Sequence, residues 1–104
     1  MREFIYPYYD EGIERELKAH GITKAYSFGN FEVKKGIRAL GKGKTGIVVL
    51  TEDFKALKIR RTDSPKESLE IEAKLQRMAF PVAPKVYDHG KNFILMDYVK
   101  GRHI

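Results

Sequence analysis

Gly41, Gly43, Gly46 and Val48 stand in the spacing G-x-G-x-x-G-x-V, and twelve residues beyond Gly46 the run Ala56, Leu57, Lys58 carries a lysine. The chemistry such a spacing serves is phosphate binding. Without Cβ atoms, backbone N–H groups approach a triphosphate closely, and a lysine on a neighbouring strand reaches its oxygens. Lys42 and Lys44 add positive charge at the loop, and Thr45 stands at its tip. Glycine triplets also occur in ordinary hairpin turns and in dinucleotide sites, so the surroundings decide between them. In a dinucleotide site the third glycine opens a helix. Here Gly46 leads into Ile47, Val48, Val49 and Leu50, a largely β-branched run that favours a strand, so the loop is expected to join two strands. A Walker A reading of Gly43, Lys44 and Thr45 requires a glycine at position 38, which is Arg38.

The elements that must position this loop can be read around it. A helix is expected from about Asp10 to His20, capped by Asp10 and stopped by Gly21, with Ile13 and Leu17 inward and His20 at its end as a partner for the helix dipole. Ala25 to Phe28 and Phe31 to Val33 read as strands about Gly29 and Asn30, a pair suited either to a hairpin turn or to a linker. Three strands follow, Gly36 to Leu40, Gly46 to Leu50 and Phe54 to Arg60, with Thr51, Glu52 and Asp53 turning between the last two. A second helix is expected from Ser64 to about Ala79, with Ser64 as cap, Pro65 at the first helical position and Glu67 completing a capping box. Centring its inner face on Leu75 brings Ser68, Ile71, Glu72, Met78 and Ala79 to the same side. A carboxylate on that face needs a cation, and Lys58 is the obvious one; the competing reading pairs Glu72 with Arg61 or Arg77 at the helix edge. Pro81 and Pro84 then break the chain. Two last strands, Lys85 to Asp88 and Asn92 to Met96, turn about His89, Gly90 and Lys91.

Composition narrows the classes. A chain of 104 residues makes one domain with a modest core, and the absence of Cys excludes disulfides and thiolate metal sites. Three scattered His residues give no metal-ligand spacing. No apolar run approaches the roughly 20 residues of a membrane span, so a soluble cytoplasmic protein is expected. The net charge of +6 falls entirely beyond Lys35, with Arg38, Lys42, Lys44, Lys55, Lys58, Arg60 and Arg61 around the loop. Anionic ligands are implied, and nucleotide phosphates, a nucleic-acid backbone or simple solvation of a basic face all satisfy that charge.

From about Phe31 to Gly101 the chain resembles the N-terminal lobe of a eukaryotic-type serine/threonine protein kinase, in the style of small archaeal predicted kinases distantly related to the RIO type. The motifs appear in the family's order: the glycine loop, the Ala56–Lys58 run, the helix carrying Glu72, and the run Leu95 to Gly101 (LMDYVKG), similar to the interlobe hinge. The resemblance implies an α+β lobe, a twisted antiparallel sheet of about five strands with one packed helix. Residues 1–30 would be an N-terminal helical extension and residues 31–104 the lobe, ending at the hinge with the C-terminal lobe absent. It implies ATP as ligand, with Lys58 and Glu72 pairing to hold the α- and β-phosphates. Val48 and Ala56 would join the adenine site, Met96 would guard it, and Asp97 and Val99 would present backbone groups to the base, with Tyr98 packing nearby. Thr45 departs from the aromatic usual at the loop tip, and the link from Gly46 to Lys58 is short. No H-R-D-x-x-x-x-N or D-F-G run follows, and Arg102 and His103 do not replace them, so the catalytic base and Mg²⁺ ligands are expected outside this chain, which alone should not catalyse. The partners implied are a nucleotide, the missing lobe or another protein, and a second copy through an uncovered side spanning Phe80 to Tyr98. A basic adaptor contacting RNA or a ribosomal particle, and a pseudokinase interaction lobe, are the alternative readings.

Overall fold

A computed structural model describes residues 1–99; the expectations for Gly101, Arg102 and His103 therefore lie outside the described residues. A short 3₁₀ turn (Arg2–Phe4) leads to helix α1 (Glu11–Ala19). Strands β1 (Ala25–Tyr26), β2 (Phe31–Lys34), β3 (Ile37–Ala39), β4 (Gly41–Lys42), β5 (Gly46–Thr51) and β6 (Lys55–Arg60) follow, then helix α2 (Glu70–Met78) and strands β7 (Val86–His89) and β8 (Phe93–Asp97). The class is α+β, and every strand pairing is antiparallel. The main sheet has six strands where about five were expected: β1, β5, β6, β8 and β7 lie in that order, and β4 also pairs with β5. Strands β2 and β3 form a separate ribbon.

Alternation along the central strands sends side chains to two faces, each with its own apolar cluster. Ile47, Val49, Leu57, Ile59 and Phe93 face the N-terminal segment and pack with Phe4, Ile5, Ile13 and Leu17. Val48, Ala56, Ile94 and Met96 face the other way and pack with Leu69, Ala73 and Val86. Residues 1–30 therefore share a core with the rest of the chain, and β1 extends the main sheet.

Helix α1 forms where expected and for the expected reason. Asp10 Oδ1 accepts from the N–H groups of Gly12 and Ile13 at 2.8 and 3.2 Å, and Gly21 takes the positive φ of 77° that lets the chain leave. His20 does more than face the dipole: its Nδ1 lies 2.9 Å from Asp88 Oδ2, and its ring meets that of Phe93 edge-on. One turn earlier, Glu16 accepts from the N–H groups of Lys91 and Asn92 at 2.8 and 2.9 Å, clamping α1 to the β7–β8 turn. Two charge-assisted bonds end on this one carboxylate. Glu16→Ala should therefore cost about 2 kcal/mol in urea unfolding followed by circular dichroism, with Glu16→Gln milder because an acceptor remains.

Several expectations are corrected. Of the two readings of Gly29 and Asn30, the hairpin turn is not made and the linker is: they join β1 in the main sheet to β2 in the ribbon. A Cβ on Gly29 would lie 2.1 Å from the Ala39 carbonyl oxygen, and the φ of 128° suits only glycine. Phe54 does not open β6. The buried Thr51 hydroxyl accepts from the Lys55 N–H at 3.0 Å, which tightens the turn and leaves Phe54 exposed at a φ of 61°. Helix α2 begins at Glu70, not Ser64. Leu69 is fully buried and its N–H is donated to the Lys91 carbonyl at 2.7 Å, a tertiary bond incompatible with an i−4 helical bond at that residue. Ser64 instead accepts from the Lys66 N–H in a local turn. The expected inner face holds for Glu72 but not for its apolar members: Ile71, Leu75 and Met78 are 74%, 60% and 81% exposed, while Leu69, Ala73 and Gln76 turn inward with Glu72. Ala73 permits close approach to the sheet, and the polar contacts of Glu72 and Gln76 set the rotation.

Candidate functional site

The β4–β5 hairpin carries the glycine loop. Gly41 lies opposite Val48 and Lys42 opposite Ile47, and the turn closes when the Gly43 N–H donates to the Gly46 carbonyl at 2.7 Å. Just past the end of β6, the Arg61 N–H donates to the Thr45 carbonyl at 2.9 Å and its guanidinium to the Gly43 carbonyl at 3.1 Å. Gly41 and Gly46 differ in what they are for. A Cβ at Gly41 would meet nothing within 4 Å, whereas at Gly46 it would stand 2.7 Å from the Ile59 carbonyl oxygen and 3.1 Å from Lys58 Cγ and Cε. Gly46 thus leaves the space through which the Lys58 side chain runs.

Lys58 pairs with Ile94 on β8 and Val48 on β5, which puts its side chain on the α2 face of the sheet. There its Nζ donates to Glu72 Oε2. The two side chains are 12% and 26% exposed, so the pair is largely withdrawn from water, and Lys66 Nζ stands 3.9 Å from the other Glu72 oxygen. Neither Arg61 nor Arg77 takes that carboxylate: Arg61 pairs with Asp63, and Arg77 with the Val86 carbonyl and His89.

The same face gathers the apolar residues. Val48, Ala56 and Met96 share one cluster, with Leu40 and Tyr98 packed against it, and Ala56 lies directly opposite Met96. Met96 is fully buried, and Gln76 Nε2 donates to its sulfur at 3.3 Å and to the Pro84 carbonyl at 3.0 Å. The Asp97 N–H donates to the Lys85 carbonyl at 3.0 Å, and its carboxylate accepts from the Tyr87 hydroxyl at 2.5 Å, which holds the Tyr87 phenol above its ordinary pKa. Val99 is exposed at the end of this segment.

Not every expected residue joins. Lys42 projects from the opposite face, over the rings of Phe31 and Tyr6 at 5.3 and 5.9 Å, so its charge supports the N-terminal segment and not the α2 side. Lys44 is exposed at the turn beside the half-buried Thr45. Two residues were missed. Leu40 could have been found as the apolar position just before the first glycine, and Gln76 as the residue one turn beyond Glu72. Arg61 had entered as charge and as the competing partner for Glu72, not as a support of the turn. Its guanidinium also grips Asp63 through Nε and Nη2 at 2.9 and 2.8 Å, which holds the Asp63 carboxyl below its usual range.

A cleft of about 390 Å³ opens elsewhere, between the end of α1 and the Thr51–Asp53 turn, on the other side of the sheet from Glu72 and Met96. Among the described residues no group of three or more His, Asp or Glu is arranged to hold a metal ion, and no helix is long and apolar enough to cross a membrane. Comparison with protein-family models, with curated proteins and with solved structures gave no match.

Proposed function

We propose that this chain is the nucleotide-binding lobe of an ATP-dependent phosphotransferase of the serine/threonine protein-kinase type. One observation carries the reading: the Lys58–Glu72 pair lies beside Gly46 and on the same face as Val48, Ala56 and Met96. A lysine held by a carboxylate in a half-dry setting is fixed in direction, as contact with the α- and β-phosphates of ATP requires. The adenine would lie against Leu40, Val48, Ala56 and Met96, and the triphosphate would run under the Gly43–Gly46 turn toward Lys58. The order of neighbours, from glycine hairpin to lysine strand to β8 to β7, with α2 packed on the lysine side, supports the same class. Among the described residues no group of three or more His, Asp or Glu is arranged to hold Mg²⁺, and no step here is assigned to it.

These residues form one wall of a site, whereas pockets that bind tightly enclose most of their ligand. ATP affinity should accordingly be no better than roughly millimolar, a scale at which binding supplies about 4 kcal/mol. In an NMR titration with ATP, amide shifts are expected at residues 41–48, at Lys58 and at residues 96–99. Shifts centred on Arg60, Arg61 and α1, reproduced equally by inorganic polyphosphate, would overturn the proposal. Salt-dependent RNA retention that survives Lys58→Ala would turn it toward the adaptor reading.

A further inference from the structure

The glycine turn is held from behind by contacts that phosphate binding does not itself require. Arg61 spans the back of the turn: its backbone N–H holds Thr45, its Nη1 holds the Gly43 carbonyl, and Asp63 accepts from its Nε and Nη2. The side chain is only 18% exposed. The guanidinium lies 5.5 Å from the centre of the Tyr6 ring, which also receives Lys42 from the loop and the edge of Phe31. Tyr6 is in turn held in place by Thr62, whose N–H donates to the Tyr6 carbonyl at 2.8 Å and whose hydroxyl accepts from the Tyr8 N–H at 2.9 Å. A chain of contacts therefore runs from the N-terminal segment through Tyr6 and Arg61 to the Gly43 carbonyl.

We infer that Arg61 is a positioning residue for the phosphate loop, latching the Gly43–Gly46 turn in its closed form, with Asp63 aiming it and Tyr6 backing it. This rests on the phosphate-loop reading given above. A carbonyl drawn back toward Arg61 turns the neighbouring peptide dipole, and with it the N–H groups that a phosphate would meet. Arg61 acts through that turn and needs no contact with the nucleotide. A lysine would keep the charge but not the fork, and so could not hold Gly43 and Asp63 together.

The test uses the full chain and the variants Arg61→Gln, Arg61→Lys and Asp63→Asn, with thermal unfolding to establish that each is folded. In the protein without nucleotide, the Gly43 amide should exchange with solvent about tenfold faster in Arg61→Gln, the size expected for losing a charge-assisted hydrogen bond. Unchanged exchange overturns the latch, whatever nucleotides do. With nucleotide, all three variants should weaken ATP about five- to tenfold and adenosine less than twofold, because adenosine rests on Val48, Ala56 and Met96. Asp63→Asn makes the chain more positive. If Arg61 served as a phosphate-binding charge, that variant would bind ATP more tightly and Arg61→Lys would bind normally, and either result overturns positioning. Wild-type protein that binds neither ATP nor adenosine while Arg61→Gln speeds Gly43 exchange sinks the nucleotide reading and sustains the latch.

Discussion

Leu69→Ala should destabilise the protein by about 2–5 kcal/mol, while Leu75→Ala, six residues along, should change stability by no more than about 0.5 kcal/mol. Leu69 is fully buried among Val48, Ala56, Ile94 and Met96, so truncation opens a cavity where α2 meets the site. Leu75 is 60% exposed, and alanine is the better helix former. Parallel urea titrations of the two variants measure the difference directly. Equal losses, or a larger one at Leu75, would mean that α2 is rotated and that its Ile71, Leu75 and Met78 side is the one facing the sheet. Glu72 would then be carried off Lys58.

Gly46→Ala is expected to be the most damaging change at the glycine loop, and Gly41→Ala among the mildest. The new methyl at position 46 would collide with the Ile59 carbonyl on the paired strand and press on the Lys58 stem. Neither the paired backbone nor a lysine already committed to Glu72 yields easily. Overpacking of this kind costs about 1–3 kcal/mol. If the proposed nucleotide site is correct, displacing Lys58 should also weaken ATP more than about tenfold, which is 1.4 kcal/mol in binding. At Gly41 the methyl enters open space, so melting temperature and ATP titration should both stay near wild type. If the two variants behave alike, the loop works only through glycine flexibility and not through the passage made for Lys58.

The local signals in the sequence proved strong where one residue type has one physical use. Asp10 and Gly21 bounded α1, the largely β-branched run after Gly46 became β5, and a lone acid near a strand lysine became the Lys58–Glu72 pair. What misled was periodicity taken without its surroundings. The Ile71, Leu75, Met78 stripe has the right spacing for a buried face, but the side that meets the sheet is that of Leu69, Ala73 and the polar Glu72 and Gln76. Ser64 and Pro65 likewise make a good helix start, overridden by a bond from Leu69 to a carbonyl more than twenty residues away. That bond depends on where the β7–β8 turn lands, and no window around Ser64 contains the information. The side of the sheet taken by Lys42 follows only from its pairing with Ile47, which is equally nonlocal.

Strand β5 is buried along its whole length, with one set of side chains against the N-terminal core and the alternate set against the site. Its middle, Ile47 to Leu50, reads almost the same from either side. A slip by one residue, which would exchange the two sets, is therefore opposed only weakly by hydrophobicity. What pins the alignment stands at the ends. Gly46 is the position that tolerates no Cβ against Ile59 and Lys58, and Thr51 brings a hydroxyl that must find Asp53 and the Lys55 N–H. The glycine that leads from the β4–β5 turn into β5 thus also indexes that strand, and a chain that loses it risks pairing β5 and β6 out of step before any ligand is in question.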